Sequence, residues 1–140
     1  MPRVTPASAA TVAWPDACDH PHVRVMKPEM RKATKAVAEI FVGEVESFTA
    51  VGSEHSTDLR LSEIHFKSGA RNRWHTHTTD QILMCTEGDG LIATDGEQHD
   101  LAPGVIVLIP KGTRHWHGAK PGKNMTHWSI LGPGETRIAD

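Results

Sequence analysis

Two histidine pairs carry the chemical potential of this chain. His75 and His77 stand one residue apart in "WHTHTTDQ", and His115 and His117 repeat that spacing in "HWH". In a strand, residues i and i+2 share a face, so each pair can present two imidazoles to the same side while Trp74, Thr76 and Trp116 point away. Neutral imidazole is a common ligand of divalent metals, and two side by side make half of a site. Gln81 adds an amide oxygen if it begins the next strand, and His127 lies in a third run with Met125, Ser129 and Leu131 on its face. The expected metal ligands are His75, His77, Gln81 and His115, leaving His117 and His127 outside the ligand set.

These side chains need a scaffold of short strands. Histidine is the compositional outlier, ten in 140 residues, and seven of the ten lie from 65 to 127. From Val37 onward, β-branched or apolar runs such as "LRLSEIHF", "QILMCTEG", "GVIVLIP" and "MTHWSIL" alternate with turn signals such as "SGARN", "EGDG" and "KPGKN". Strands at this spacing predict an all-β antiparallel sandwich or barrel. "TDGE" predicts a tight type I′ hairpin, since Asp-Gly tolerates two positive φ angles. Only "KPEMRKATKAV" has any helical character. Gly88, Gly104, Pro110 and Gly112 read as turn formers.

At 140 residues the chain is expected to form one domain over 25–140, preceded by a flexible Pro/Ala/Thr-rich arm over 1–24. Fifteen basic against seventeen acidic residues, with neither sign in a block, argue against nucleic acid as a partner. Cys18 and Cys85 form no CxxC pattern, so neither a disulfide framework nor a zinc knuckle is expected, and a reducing cytoplasm fits best. The N-terminal stretch lacks a continuous apolar core of the signal-peptide kind, and no run is long enough to span a membrane.

The motifs resemble those of small single-domain cupins. The first motif runs Gly69, five residues, His75-Thr76-His77, three residues, Gln81, six residues, Gly88; the second runs Gly104, five residues, Pro110-Lys111-Gly112, two residues, His115. The resemblance implies a jelly-roll barrel with one divalent metal per chain and a homodimer or higher homo-oligomer, with residues 37–51 as the strand-exchanging segment. Two positions depart from the family pattern: Gln81 stands where Glu is usual, and Ala119 where Asn is frequent. An amide in place of a carboxylate leaves the metal one unit more positive, a stronger Lewis acid that favours redox-neutral chemistry over oxygen activation.

Within the cupins, "GARNRWHTHTTDQ" and "KGTRHWHGAKPGKNMTHWSI" are similar to the manganese-dependent bacterial hydroxynitrile lyases. That similarity implies cleavage or formation of a cyanohydrin, a small-molecule substrate, and manganese first among Mn, Fe, Co, Ni and Zn. It also implies His127 as general base with His117 assisting, and a substrate pocket walled by Ser62, Ile64, Phe66, Leu83, Met125 and Leu131. Cys85 reads as a buried inert thiol, and Trp74, Trp116 and Trp128 as packing outside the barrel. Two alternatives remain open: a metal-dependent dioxygenase of a small enolisable or phenolic compound, and a metal- or ligand-binding cupin without turnover.

Overall fold

Alternation of apolar and polar residues builds two facing sheets. The computed structural model describes residues 23–140. The arm expected over 1–24 therefore falls outside the described residues, except for its last two. Thirteen strands follow a 3-10 turn at Pro28–Met30: β1 (Thr34–Lys35), β2 (Phe41–Val42), β3 (Val45–Val51), β4 (Arg60–Phe66), β5 (Arg71–Asn72), β6 (His75–His77), β7 (Gln81–Gly88), β8 (Gly90–Thr94), β9 (Gln98–Leu101), β10 (Ile106–Ile109), β11 (His115–Ala119), β12 (Met125–Leu131) and β13 (Thr136–Ile138). The helical character of "KPEMRKATKAV" reduces to that one turn. Pro28 opens it, and Thr34 already belongs to a strand.

One sheet has the order β1-β3-β4-β12-β7-β10. The other runs β13-β6-β11-β5-β2, with β8 also on β11 and β9 beyond it, and the strand pairs among the described residues are antiparallel. Strand β7 shows the period clearly: Gln81, Leu83 and Cys85 are buried while Ile82 and Met84 are exposed. Residues 37–51 supply β2 and β3, which pair with β5 and β4 of the same chain.

The apolar core fills one part of the space between the sheets. Val45, Phe66, Leu83, Cys85, Leu101 and Met125 are almost wholly buried there. At about 1.5–3 kcal/mol for each large side chain, such burial is what offsets the cost of placing polar rings elsewhere in the same interior. Trp74, Trp116 and Trp128 lie on the outside, as expected. Arg31, Arg71 and Arg114 stack their guanidinium groups 5.7, 4.5 and 4.0 Å from the ring centres of Trp128, Trp116 and Trp74. No helix among the described residues is long and apolar enough to cross a membrane.

The Asp-Gly hairpin forms where expected but with another turn. Ala93 faces Gln98 across β8 and β9, yet neither Asp95 nor Gly96 takes a positive φ. The Thr94 hydroxyl accepts the N–H groups of Gly96 (3.3 Å) and Glu97 (3.1 Å), so a local side-chain turn replaces type I′ geometry.

Motif glycines Gly69, Gly88, Gly104 and Gly112 all have positive φ, near 80–90°. Two of them separate strain from space. At Gly88 a Cβ would sit 2.0 Å from the Asn124 carbonyl oxygen, whereas at Gly104 it would meet nothing within 4 Å. Gly104→Ala should therefore cost only the left-handed strain, about 1 kcal/mol, and Gly88→Ala at least about 3 kcal/mol. Chemical denaturation of the two variants checks the difference; equal losses would mean that φ alone sets the cost.

Candidate metal centre and cavity

The ligand geometry begins with an irregularity in the second sheet. Arg71 pairs with Gly118 and His75 with His115, so the segment from 71 to 75 carries one residue more than the strand it faces. Such a bulge re-aims neighbouring groups. Here the Arg73 carbonyl turns to accept Nδ1–H of His75 at 2.7 Å. The Thr113 carbonyl does the same for His115 at 2.8 Å, and Thr136 Oγ1, on β13, lies 2.9 Å from Nδ1 of His77.

A carbonyl can only accept, so His75 and His115 carry their protons on Nδ1 and present bare Nε2 lone pairs inward. The three rings are buried, and their ligand atoms lie within 4.8 Å of one another, a group that could hold a metal ion. Nε2 of His77 has no hydrogen-bond partner at all. Burial, followed by the neighbouring His115, pushes the His75 pKa down from 6.5 to about 3 and that of His77 to about 4; burial also lowers His115. All three are neutral near pH 7, the form that ligates.

Gln81 opens β7 and enters the same cluster. Its amide nitrogen donates to Ser129 Oγ at 2.9 Å, which leaves Oε1 facing Nε2 of His115 at 3.2 Å. In this orientation two lone pairs confront each other, and a cation bound by both atoms converts that repulsion into ligation. The chain's donors thus fit a divalent metal with three imidazoles and one amide oxygen. Ser129 was expected on the face of His127, but its role, like Thr136 altogether, escaped the sequence reading, because the two orient their partners from β12 and β13, 48 and 59 residues away.

A cavity of about 470 Å³ opens beside the cluster, within the range of small-molecule sites. Of the expected wall residues, Ser62, Ile64 and Leu131 line it. Phe66, Leu83 and Met125 do not; they belong to the closed core. His117 is on the wall and His127 is not, which reverses their expected order of access. Nε2 of His127 and Nδ1 of His117 share a hydrogen bond of 2.9 Å, and Phe66 packs against both rings, with centroids 5.3 and 6.0 Å away. The outer nitrogens, His117 Nε2 and His127 Nδ1, have no partner. Burial drives His127 down to about 4 and His117 well below 6.5, the latter lowered further by His127. Cys85 is buried away from the cavity, and burial raises its thiol pKa. Asn72, buried on the cavity wall, had no sequence signal beyond its place just before the first histidine pair.

Residues 62–132 match the family described as the cupin domain. The chain is 34% identical over 97 residues to the (R)-mandelonitrile lyase of Granulicella tundricola, a match covering 69% of this chain and 74% of that protein. It is 26% identical to the acireductone dioxygenase of Parasynechococcus marenigrum over 72% of this chain and 58% of that one. Among solved structures, a cupin-like protein from Thermotoga maritima superposes with a TM-score of 0.67 at 32% identity, covering 73% of this chain and 82% of the other.

Two outcomes are expected. Ser129→Ala should release the Gln81 amide and lower metal affinity roughly 10- to 100-fold, read by competition with a chelating dye; unchanged affinity would mean that the amide needs no orienting partner. For the metal-free protein, the histidine pKa values lie below the ordinary 6.5, so between them the unfolded chain binds more protons. The stability contributed by these groups is therefore complete above about pH 6.5 and is lost as pH falls toward about 3. Urea midpoints measured from pH 8 to pH 4 should stay level and then drop; a rise on acidification would reverse the sign.

Proposed function

This chain belongs to the cupin family, and we propose that it is a metal-dependent lyase that cleaves or forms a small cyanohydrin. The observation that carries this reading is the cavity wall. His75, His77 and Gln81 sit beside Ile40, Phe41, Ile64, Leu131 and Ile138, and no residue lining the cavity is charged near neutral pH. A substrate with a charged group remote from the metal would have to bury it unpaired, at a cost of several kcal/mol. An uncharged molecule with a hydrophobic body and one hydroxyl suits the site instead. The similarity to the (R)-mandelonitrile lyase supports the same class.

A divalent cation held by His75, His77, Gln81 and His115, manganese first among the candidates, would supply Lewis acidity that lowers the pKa of the substrate hydroxyl. His117 is the group placed to take the proton. His117 lines the cavity, and with its Nδ1–H donated to Nε2 of His127, its unpartnered Nε2 would carry the free lone pair. The hydroxyl proton passes to His117 Nε2, the oxygen forms the carbonyl, and the electron pair of the C–C bond leaves with cyanide. Nε2–H of His117 then returns the proton to cyanide, so that aldehyde and hydrogen cyanide balance the cyanohydrin. His127 acts through His117: its Nε2 accepts the hydrogen bond that fixes the tautomer and stabilises the transient imidazolium.

Exposed Ile82, Met84, Ile106 and Leu108 adjoin one another across the β7–β10 ladder, and that outer patch supports self-association as a homodimer or higher homo-oligomer.

The test is metal-resolved turnover. Protein stripped of metal and restored singly with Mn, Fe, Co, Ni or Zn is assayed for benzaldehyde release from (R)-mandelonitrile. Release should require metal, and His117→Ala should lower kcat roughly 10²–10⁴-fold. His127→Ala should lower kcat while leaving KM within about threefold, as for a group that never touches substrate. Oxygen uptake with a diketone, and no benzaldehyde, would replace the lyase by a dioxygenase.

A further inference from the structure

Asn72 and Ser62 are polar wall residues that the proton-transfer scheme leaves unused, and the Ser62 hydroxyl already donates to Thr49 Oγ1. Asn72 is 4% exposed and lies on the cavity wall beside His75, His77 and His117. Its Oδ1 accepts the backbone N–H of His117 at 2.9 Å. This contact follows from the bulge before His75. With one residue in excess there, the Asn72 side-chain oxygen takes the place of a ladder carbonyl opposite His117. Since that N–H can only donate, the amide orientation is determined: oxygen toward the strand, nitrogen away from it. Among the described residues, Nδ2 of Asn72 donates to no protein acceptor.

We infer that Asn72 anchors the substrate, its carboxamide N–H donating to an uncharged acceptor at the end of the molecule remote from the metal-directed oxygen; in the cyanohydrin reading, on which this assignment rests, that acceptor is the nitrile nitrogen. Three observations converge on this role. The residue is 4% exposed and lines the cavity, and Nδ2 is not one of the fully buried unpartnered atoms, so the donor keeps its access to the open volume, where a ligand acceptor can meet it. Its aim is fixed by a backbone contact rather than by a mobile side chain, as substrate positioning requires. The surrounding wall has no cation that could bind the same end of the substrate, so an uncharged donor is matched to an uncharged acceptor. The anchor also acts on the leaving group: cyanide gains negative charge on nitrogen as the C–C bond breaks, and the hydrogen bond strengthens in that direction.

A matched pair of probes tests the anchor without turnover. Benzonitrile and phenylacetylene have nearly the same shape, but only the first ends in an acceptor nitrogen. Their affinities are measured by NMR titration of the zinc-loaded protein, for wild type, Asn72→Asp and Asn72→Leu. Asn72→Asp keeps the acceptor for the His117 N–H and loses the donor; Asn72→Leu loses both. Wild type should prefer benzonitrile by about three- to tenfold, the range for one neutral hydrogen bond. Asn72→Asp, still binding one zinc per chain, should lose that preference or invert it, and Asn72→Leu, if folded, should bind the two probes alike. A preference that survives in Asn72→Asp, or wild type that binds both equally, overturns the assignment. Failure of the lyase reading has a separate signature: protein that releases no benzaldehyde but shows the Asn72-dependent preference keeps the anchor and loses the reaction.

Discussion

The constraint on which the rest of this structure depends is that five imidazoles are buried in one interior and must each stay neutral and correctly oriented. Burial lowers the pKa of all five, so none carries charge near pH 7. Neutrality, however, leaves each ring with one donor and one acceptor to place. The fold meets this asymmetrically. For His75, His77 and His115 it engages Nδ1 from behind, with two backbone carbonyls and a hydroxyl, which commits Nε2 to the common centre. His117 and His127 satisfy each other on one side only. An orphaned polar atom costs roughly 1–3 kcal/mol. A core evolved for stability alone would not collect several of them; a cation would give His77 Nε2 a partner and a molecule in the cavity could reach His117 Nε2, while His127 Nδ1 keeps its cost.

The irregular parts of the sheets serve that arrangement more than the regular ones. A regular ladder opposite β11 would place carbonyls where Asn72 and Arg73 stand. The extra residue instead frees the Arg73 carbonyl for His75 and gives the His117 N–H to Asn72. One bulge therefore sets a ligand tautomer and the direction of a donor on the cavity wall. Arg73 also ties down the margins of that wall: its backbone N–H donates to Ile40 O at 2.7 Å, and its guanidinium pairs with Glu39 and Asp140. These surface pairs are weak individually, so the backbone contact is the stronger restraint.

Strand periodicity made much of this legible in the sequence, and its limits follow from the same rule. Parity says which face a side chain takes, and it placed His75, His77, Gln81 and His115 together and sent Trp74, Trp116 and Trp128 outward. Parity does not report depth along the barrel. Phe66, Leu83 and Met125 share the inward parity of Ile64, Gln81 and Leu131, yet they lie in the packed core while the others border the cavity. The same blindness reversed His117 and His127, both inward, one in front of the other. Partners brought by a distant strand, Ser129 and Thr136, were beyond any local pattern. The Asp-Gly turn failed for a local reason instead: Thr94 offers two hydrogen bonds that outweigh the preference of its neighbours for positive φ.

Gln81 ties the ligand set to the character of the cavity. A carboxylate at this position would bring its own negative charge, and the bound cation would be partly neutralised before substrate arrived. The amide brings none, and Ser129 holds its oxygen inward by taking its N–H. No charged side chain lines the cavity to compensate. In the proposed reaction, charge developing on the substrate would then be the main counterion a bound cation could acquire, the condition for stabilising a transition state more than a ground state. The same uncharged wall that would admit a neutral hydroxyl compound would also leave the field of a bound cation unspent until a proton leaves such a compound.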